Sequence, residues 1–245
     1  MKTVFITGAT SGIGDACARL LSPEYRLILC GRRVERLNLL KDELSNVITL
    51  NFDVRNREDV NRAISDLPNE WSDIDILINN AGNAHGMAPF HEGDVDDWDA
   101  MIDINVKGLL YVSKAIIPAM VKKKSGHIIN IGSIAGKEVY PKGAVYSASK
   151  HAVDAINNGM RLDLVEFGIK VSQVNPGMVE TEFSQVRFKG DTEKAKSMYK
   201  GYEALTAKDI AELVEFIISR PAHVNLSDTI IFPSAQAAVT YIKKR

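Results

Sequence analysis

Short runs of β-branched and aliphatic residues punctuate the chain at Thr3–Thr7, Arg26–Cys30, Val47–Asn51, Ile74–Asn79, His127–Ile131, Ile169–Asn175 and Thr229–Phe232. Their apolar character is near-continuous rather than alternating, which marks strands buried on both faces. Between them lie longer stretches with apolar positions at helical spacing: Gly12–Leu21, Arg33–Leu44, Arg57–Leu67, Trp98–Lys123, Val145–Phe167 and Ala207–Ser219. Strand and helix patterns that alternate in this way predict βαβ units and a parallel sheet. Right-handed crossovers then place helices over both faces. The expectation is an α/β fold: a single doubly wound domain over residues 1–245, with a mostly parallel seven-stranded sheet. Ligands of such folds sit beyond the carboxyl ends of the strands, so chemistry is sought there.

Composition narrows the partners. At 245 residues the chain can bury a sizeable core without disulfides or metals. Its formal net charge of −1 gives no support for a nucleic-acid or membrane-surface partner. The one tight basic run, Lys122 to Lys124, reads as a solvated helix end. Cys17 and Cys30 form no CxxC pair and the five histidines lack metal-ligand spacing, so neither a disulfide scaffold nor a metal site is expected. The opening residues, MKTVFITG, do not read as a signal peptide, and no apolar stretch approaches the ~20 residues of a membrane span. A reducing cytoplasm and a small-molecule substrate are the expectation.

The first strand-to-helix turn, "VFITGATSGIG", carries Gly8, Gly12 and Gly14. Gly8 can make the tight turn, Gly12 lets backbone approach a phosphate, and Gly14 permits close helix packing. The helix N-terminus favours an anion. The pattern fits a plain tight turn or a Rossmann dinucleotide site, and its place between first strand and helix favours the latter. An acid commonly ends the second strand of an NAD site. Here "LILCGRRVERL" offers Arg32 and Arg33 instead. Guanidinium groups suit a 2′-phosphate, so NADP is expected over NAD, the plainer reading being two arginines that start a solvated helix. Asp53 and Val54 follow the third strand, where they either meet the adenine or, for Asp53, cap the next helix. The fourth strand ends in Asn79, Asn80, Ala81 and Gly82, a polar floor for a flat ring or a structural turn. The fifth ends at Ser133, without the GxSxG setting of a serine hydrolase.

Tyr146 and Lys150, in "GAVYSASKHAVDA", share a helix face. A free tyrosine titrates near pH ~10, and burial alone raises that further. A cation at about 4 Å contributes roughly 4 kcal/mol at an effective dielectric of about 20, enough to lower the pKa by about two to three. A phenol without such a cation is a poor base.

TGATSGIG at 7–14, NNAG at 79–82, Asn105 in "IDINVKG", Ser133, the YxxxK of Tyr146 and Lys150, and "NPGMVET" at 175–181 occur in order and at compatible spacings. With these motifs the chain resembles the short-chain dehydrogenase/reductase family over essentially its whole length. The resemblance implies Tyr146 as general acid/base, Lys150 as its partner and ribose ligand, Ser133 as donor to the substrate oxygen, and Asn105 as holder of a relay water. It implies an NADP(H) site along Gly8, Thr10, Ser11, Gly12, Ile13, Gly14, Arg32, Arg33, Asp53, Val54, Asn80, Ala81, Gly82, Tyr146, Lys150, Pro176, Gly177, Val179 and Thr181. Ser11 stands where many NADP-preferring members carry a base. The family is usually tetrameric, which implies a homotetramer, with Trp98–Lys123 and Val145–Phe167 at one two-fold and the tail from Thr229 at another.

"EFSQVRFKGD", "LINNAGNAHGMAPF", "RPAHVN" and "GRRVERL" look like a narrower subgroup, the NADP-dependent 3-hydroxy acid dehydrogenases that oxidise L-serine, L-allo-threonine and related β-hydroxy acids. Such substrates bring a carboxylate, so the pocket should hold a cation. Arg187, Lys189, Lys142 and Lys137 are the candidates, and Arg187 is favoured because a planar guanidinium binds a carboxylate bidentately. Ser133, Tyr146 and Arg187 are thus the expected substrate contacts. Residues 184–206, polar and weakly periodic, read as a substrate lid or as a surface excursion. Glu138 either points away or meets the amino group of serine. The alternatives are a broad NADPH carbonyl or 3-oxoacyl-thioester reductase and, in a different class, a non-catalytic NADP-binding sensor.

Overall fold

The computed structural model describes residues 1–245. Seven parallel strands form one sheet in the order β3-β2-β1-β4-β5-β6-β9. They are β1 (Thr3–Thr7), β2 (Arg26–Gly31), β3 (Val47–Asn51), β4 (Ile76–Asn79), β5 (Gly126–Ile131), β6 (Ile169–Pro176) and β9 (Asp228–Ile231). Each of the seven apolar runs becomes one of these strands, displaced by at most two residues at an end. The sheet order reverses between β1 and β4, and that switch point opens the cleft described below.

Alternation of side chains along the strands splits the core in two. Val4, Ile6, Leu27 and Leu29 face one way, against α1 (Gly12–Leu21), α2 (Val34–Glu43) and α9 (Ala207–Ile218). Phe5, Ile28 and Leu77 face the other way, against α3 (Arg57–Ser65), α5 (Leu109–Lys123) and α6 (Ala144–Leu164). Amides bind the second layer together. Asn79 of β4 donates to Ser113 Oγ and to Asn130 Oδ1, and Asn130 donates to Asn157 Oδ1 on α6. Asn79 therefore faces the core and is no floor for a ring.

The helix expected at Trp98–Lys123 begins earlier and is interrupted. It runs as α4 (Val95–Ile102), a π-helical turn at Asp103–Gly108, and α5. Asp94 caps it through its carboxylate. The whole span, Val95–Lys123, is long and apolar enough by length and composition to cross a membrane, contrary to the expectation. Val112, Ile116 and Met120 are nevertheless packed against the sheet, the situation of a core helix. Smaller elements follow β6: β7 (Val179–Glu180), α7 (Phe183–Arg187), α8 (Thr192–Ser197) and β8 (Leu205–Thr206). The stretch read as a lid thus carries two short helices joined by turns and ends in β8. A terminal hairpin, β10 (Gln236–Ala238) and β11 (Tyr241–Ile242), closes the chain.

One buried group sets a pH limit on the fold. His127 on β5 is 5% exposed, and its Nε2 lies 2.8 Å from Ser172 Oγ, whose hydroxyl donates to Asn225 Oδ1. Burial, with lesser contributions from Lys170 and Lys2, pushes the ring down from 6.5 to about 3. Between those values the unfolded chain binds a proton that the native state refuses, so stability falls as pH drops. Urea unfolding at about pH 7 and about pH 5 is expected to differ by about 2 kcal/mol more in the wild type than in His127→Gln. Equal pH dependence in the two proteins contradicts this assignment.

Candidate active site

The glycine turn between β1 and α1 is built for a phosphate. Gly8 and Gly12 adopt φ of 66° and 53°, the left-handed region that glycine occupies without strain. A Cβ on Gly14 would lie 2.4 Å from the Gly8 carbonyl oxygen and 2.5 Å from Asn80 Nδ2. Gly14 therefore does what its position predicts, letting α1 press on the turn, and it lies behind the wall of the cleft. Ser11 precedes α1 and makes no side-chain cap, leaving the first N–H groups of the helix for an anion. Asn80 spends its amide on the carbonyls of Thr7 and Gly8, which ties the β4 end to the turn.

A cavity of about 460 Å³ runs over the strand ends. It is lined by every catalytic, cofactor and favoured substrate residue the sequence indicated except Gly14 and Asn105; Asn79 and the candidate lysines Lys137, Lys142 and Lys189 also lie outside it. At one end stand Arg32, Arg33, Asp53 and Val54. Arg32 is half-exposed, 3.6 Å from Asp53. Burial works against the Asp53 carboxylate, but the hydrogen bonds and charge of Arg55 prevail and hold its carboxyl below the usual range. Arg33 is less free than expected. Its Nη1 meets Glu182 at 2.9 Å, while Nε and Nη2 donate to Thr10 Oγ1 and the Thr10 carbonyl. No acid ends β2, and two guanidiniums border the cavity there, so these residues fit a phosphorylated dinucleotide.

The other end holds Ser133, Tyr146 and Lys150. Tyr146 is 8% exposed and its ring meets Phe183 edge-on at 5.7 Å. Burial pushes its phenol far up, aided by Tyr140; the Ser133 hydroxyl and the Arg187 guanidinium pull it back. Lys150 lines the same cavity, one helical turn on from Tyr146. Its Nζ donates to the Ile131 carbonyl at 3.0 Å, and burial pushes its own ammonium down to about 8. The helical spacing put both residues on one face without revealing that Lys150 is drawn to a strand-end carbonyl.

Asn105 lies inside the π-helical turn. Its amide donates to the Asn83 carbonyl and Ser149 Oγ, and its Oδ1 accepts from Asn83 N. The side chain is thus consumed by protein groups and fixes the loop after β4. π-turns interrupt helices chiefly at functional sites, and this one sits directly behind Gly82, whose Cβ would be 3.0 Å from Asn105 Oδ1.

Of the four cations proposed for an acidic substrate, one stands in the site. Arg187 is 8% exposed, with its guanidinium 5.4 Å from the Tyr140 ring and 5.8 Å from the Tyr146 ring. Lys189 is paired with Asp94 and Asp97, and Lys137 with Asp154 and Asp228. Lys142 does not line the cavity. Glu138 turns away and accepts from Val239 N. Tyr140, Phe183 and Tyr199 were not anticipated from the sequence, nor were Val239 and Ile242 of the terminal hairpin, which complete the wall. Their only sequence signal is an apolar or aromatic side chain in a loop.

A glycine turn at the switch point, a buried phenol beside a strand-end serine, and a lysine one helical turn on define a dehydrogenase site. The family model of the short chain dehydrogenases matches residues 2–192, and the chain belongs to that family. It is 47% identical over 237 residues to the NADP-dependent 3-hydroxy acid dehydrogenase YdfG of Salmonella typhi, covering 96% of each chain. Among solved structures it is similar to the closed form of serine dehydrogenase complexed with NADP+, with TM-score 0.95 and 44% identity over 99% of both chains. Serine dehydrogenase from Escherichia coli superimposes with TM-score 0.85 at 40% identity, over 96% of this chain and 99% of that one.

Proposed function

We propose that this protein is an NADP-dependent dehydrogenase of small 3-hydroxy acids, of the kind of L-serine, L-allo-threonine and 3-hydroxypropionate. The observation that carries the substrate class is Arg187: a buried guanidinium, free of any carboxylate partner, beside the ring of Tyr146. Burying such a charge is costly unless something pairs with it, and a substrate carboxylate does so bidentately. The names of the similar proteins support the same reading.

In this reading Gly8, Gly12 and the first turn of α1 hold the dinucleotide's phosphates, and Arg32 and Arg33 the 2′-phosphate. Lys150 holds the ribose, and Thr181 borders the nicotinamide. When bound between these residues, the nicotinamide would supply the hydride acceptor for oxidation and the donor for reduction. Tyr146 moves the proton: its phenolate accepts it from the substrate hydroxyl, and its phenol returns it in the reverse direction. Ser133, whose hydroxyl pulls the same phenol back down, donates to the substrate oxygen as charge grows there. Asn105 keeps the loop behind Gly82 in register and supports the proton relay. Residues 184–206 act as the lid that brings Arg187 to the substrate.

Arg187→Ala tests the substrate class. KM for L-serine is expected to rise about 10- to 150-fold, the weight of one charge-assisted hydrogen-bond pair, with KM for a neutral alcohol unmoved. Unchanged affinity for serine contradicts the acid assignment and favours a carbonyl reductase of neutral substrates. We also take the protein to be a cytoplasmic homotetramer. Leu162, Val165 and Phe167, exposed at the end of α6, support an interface on the expected helix pair. Sedimentation equilibrium of the purified protein at four protomer masses is the expected result.

A further inference from the structure

α7 has five residues, too few to hold its own place. Yet it carries Phe183 and Arg187 over the cleft. Ties at its two ends fix it there. At the far end, Gly86 N donates to the Arg187 carbonyl at 2.9 Å and Arg187 Nε donates to the Gly86 carbonyl at 3.2 Å. Lys189 reaches Asp97 at 3.0 Å. At the near end the tie is Glu182. Its Oε2 accepts from Arg33 Nη1 at 2.9 Å and its Oε1 from Arg36 Nη1 at 2.6 Å. Both arginines are anchored in turn on the Thr10 carbonyl, at 3.1 Å each. The neighbouring Thr181 packs on the glycine turn, 3.4 Å from where a Cβ of Gly12 would be. The chain at 181–182 therefore crosses the phosphate turn and is pinned to α2 on the other side.

We propose that Glu182 and Arg36 form a latch across the dinucleotide cleft, positioning residues that hold α7 down and limit the rate at which the cofactor leaves. The latch rests on the dinucleotide reading above and is independent of the substrate. It leaves the arginine pair competent for a phosphate. Of the five N–H groups of Arg33, three are spent on Glu182 and Thr10, and two remain. Arg36 is not among the residues that line the cleft. Its hydrogen bonds run to Glu182 and to the Thr10 carbonyl, behind the phosphate turn.

These side chains are about two-fifths exposed, so the latch is screened by salt. The test is stopped-flow release of NADPH, displaced by excess NADP+ and followed by nicotinamide fluorescence. The proteins are the wild type, Glu182→Gln, Arg36→Gln and the double variant. Each single variant is expected to release NADPH about 1.5- to fivefold faster. The double variant should be no faster than the singles. Raising salt from about 0.05 to about 0.5 M should speed release from the wild type more than from Glu182→Gln. Unchanged release from either single variant overturns the latch. So does slower release from Glu182→Gln, which would make the carboxylate an opponent of the phosphate, and so do effects that multiply in the double variant. A wild type that binds no NADPH overturns the dinucleotide reading and the latch together. One that binds while the variants match it overturns the latch alone.

Discussion

Tyr146→Phe is expected to lower kcat by about 10²- to 10⁴-fold for every substrate, in both directions, with the fold and nucleotide binding intact. The substitution removes one oxygen. The ring keeps its edge-on contact with Phe183 and its burial, so packing is conserved. What goes is the one group at the reacting oxygen that can change its proton. The protein's own groups push the Tyr146 phenol upward, burial first and Tyr140 second. The protonated form is thus the resting one, suited to giving a proton in reduction. Oxidation needs the phenolate, so the oxidation rate in the wild type should climb toward alkaline pH while reduction falls. Steady-state pH profiles of wild type and variant check this. A variant with more than a tenth of wild-type kcat, or profiles with the opposite slopes, contradicts the role.

Lys150→Met is expected to cost about as much in rate, roughly 10²- to 10⁴-fold, while costing little stability. The ammonium is buried, and that burial pushes it down to about 8, so the fold carries a charge it does not favour. Methionine fills similar space with an unbranched chain. One partner of the Ile131 carbonyl is lost, which offsets about 1 kcal/mol of what removing the charge returns. Nucleotide affinity should fall with the rate, because the ribose loses its donor. Activity assays, NADPH titration and urea unfolding together test the claim. A variant that unfolds easily but, where folded, turns over normally would make Lys150 a structural residue and nothing more.

The sequence was most legible where local chemistry decides the structure. Seven apolar runs became seven strands because a parallel sheet covered on both faces is built from near-continuous apolar runs, its edge strands β3 and β9 being only partly buried. Gly8, Gly12 and Gly14 could be read because only glycine meets the dihedral and packing demands of that turn. Tyr146 and Ser133 were legible through the family resemblance of their motifs, and the structure brings both to one cavity. Illegible parts depend on partners distant in the chain. Nothing near Arg36 or Glu182 announces a pair 146 residues apart. The π-turn at Asp103–Gly108 has no local signal beyond an asparagine inside a helix pattern, and the partners of the Asn105 side chain at Asn83 and Ser149 lie elsewhere in the chain. Helical spacing shows which face Lys150 shares with Tyr146, and not that the Ile131 carbonyl accepts from its ammonium.

The most direct test of the account is the absorbance of reduced nicotinamide, followed with purified protein, NADP+ or NAD+, and L-serine, L-allo-threonine, 3-hydroxypropionate or a neutral secondary alcohol. The account predicts reduction of NADP+ well ahead of NAD+, with the three hydroxy acids well ahead of the alcohol. Turnover of the alcohol alone, or of no substrate with either nucleotide, would contradict it.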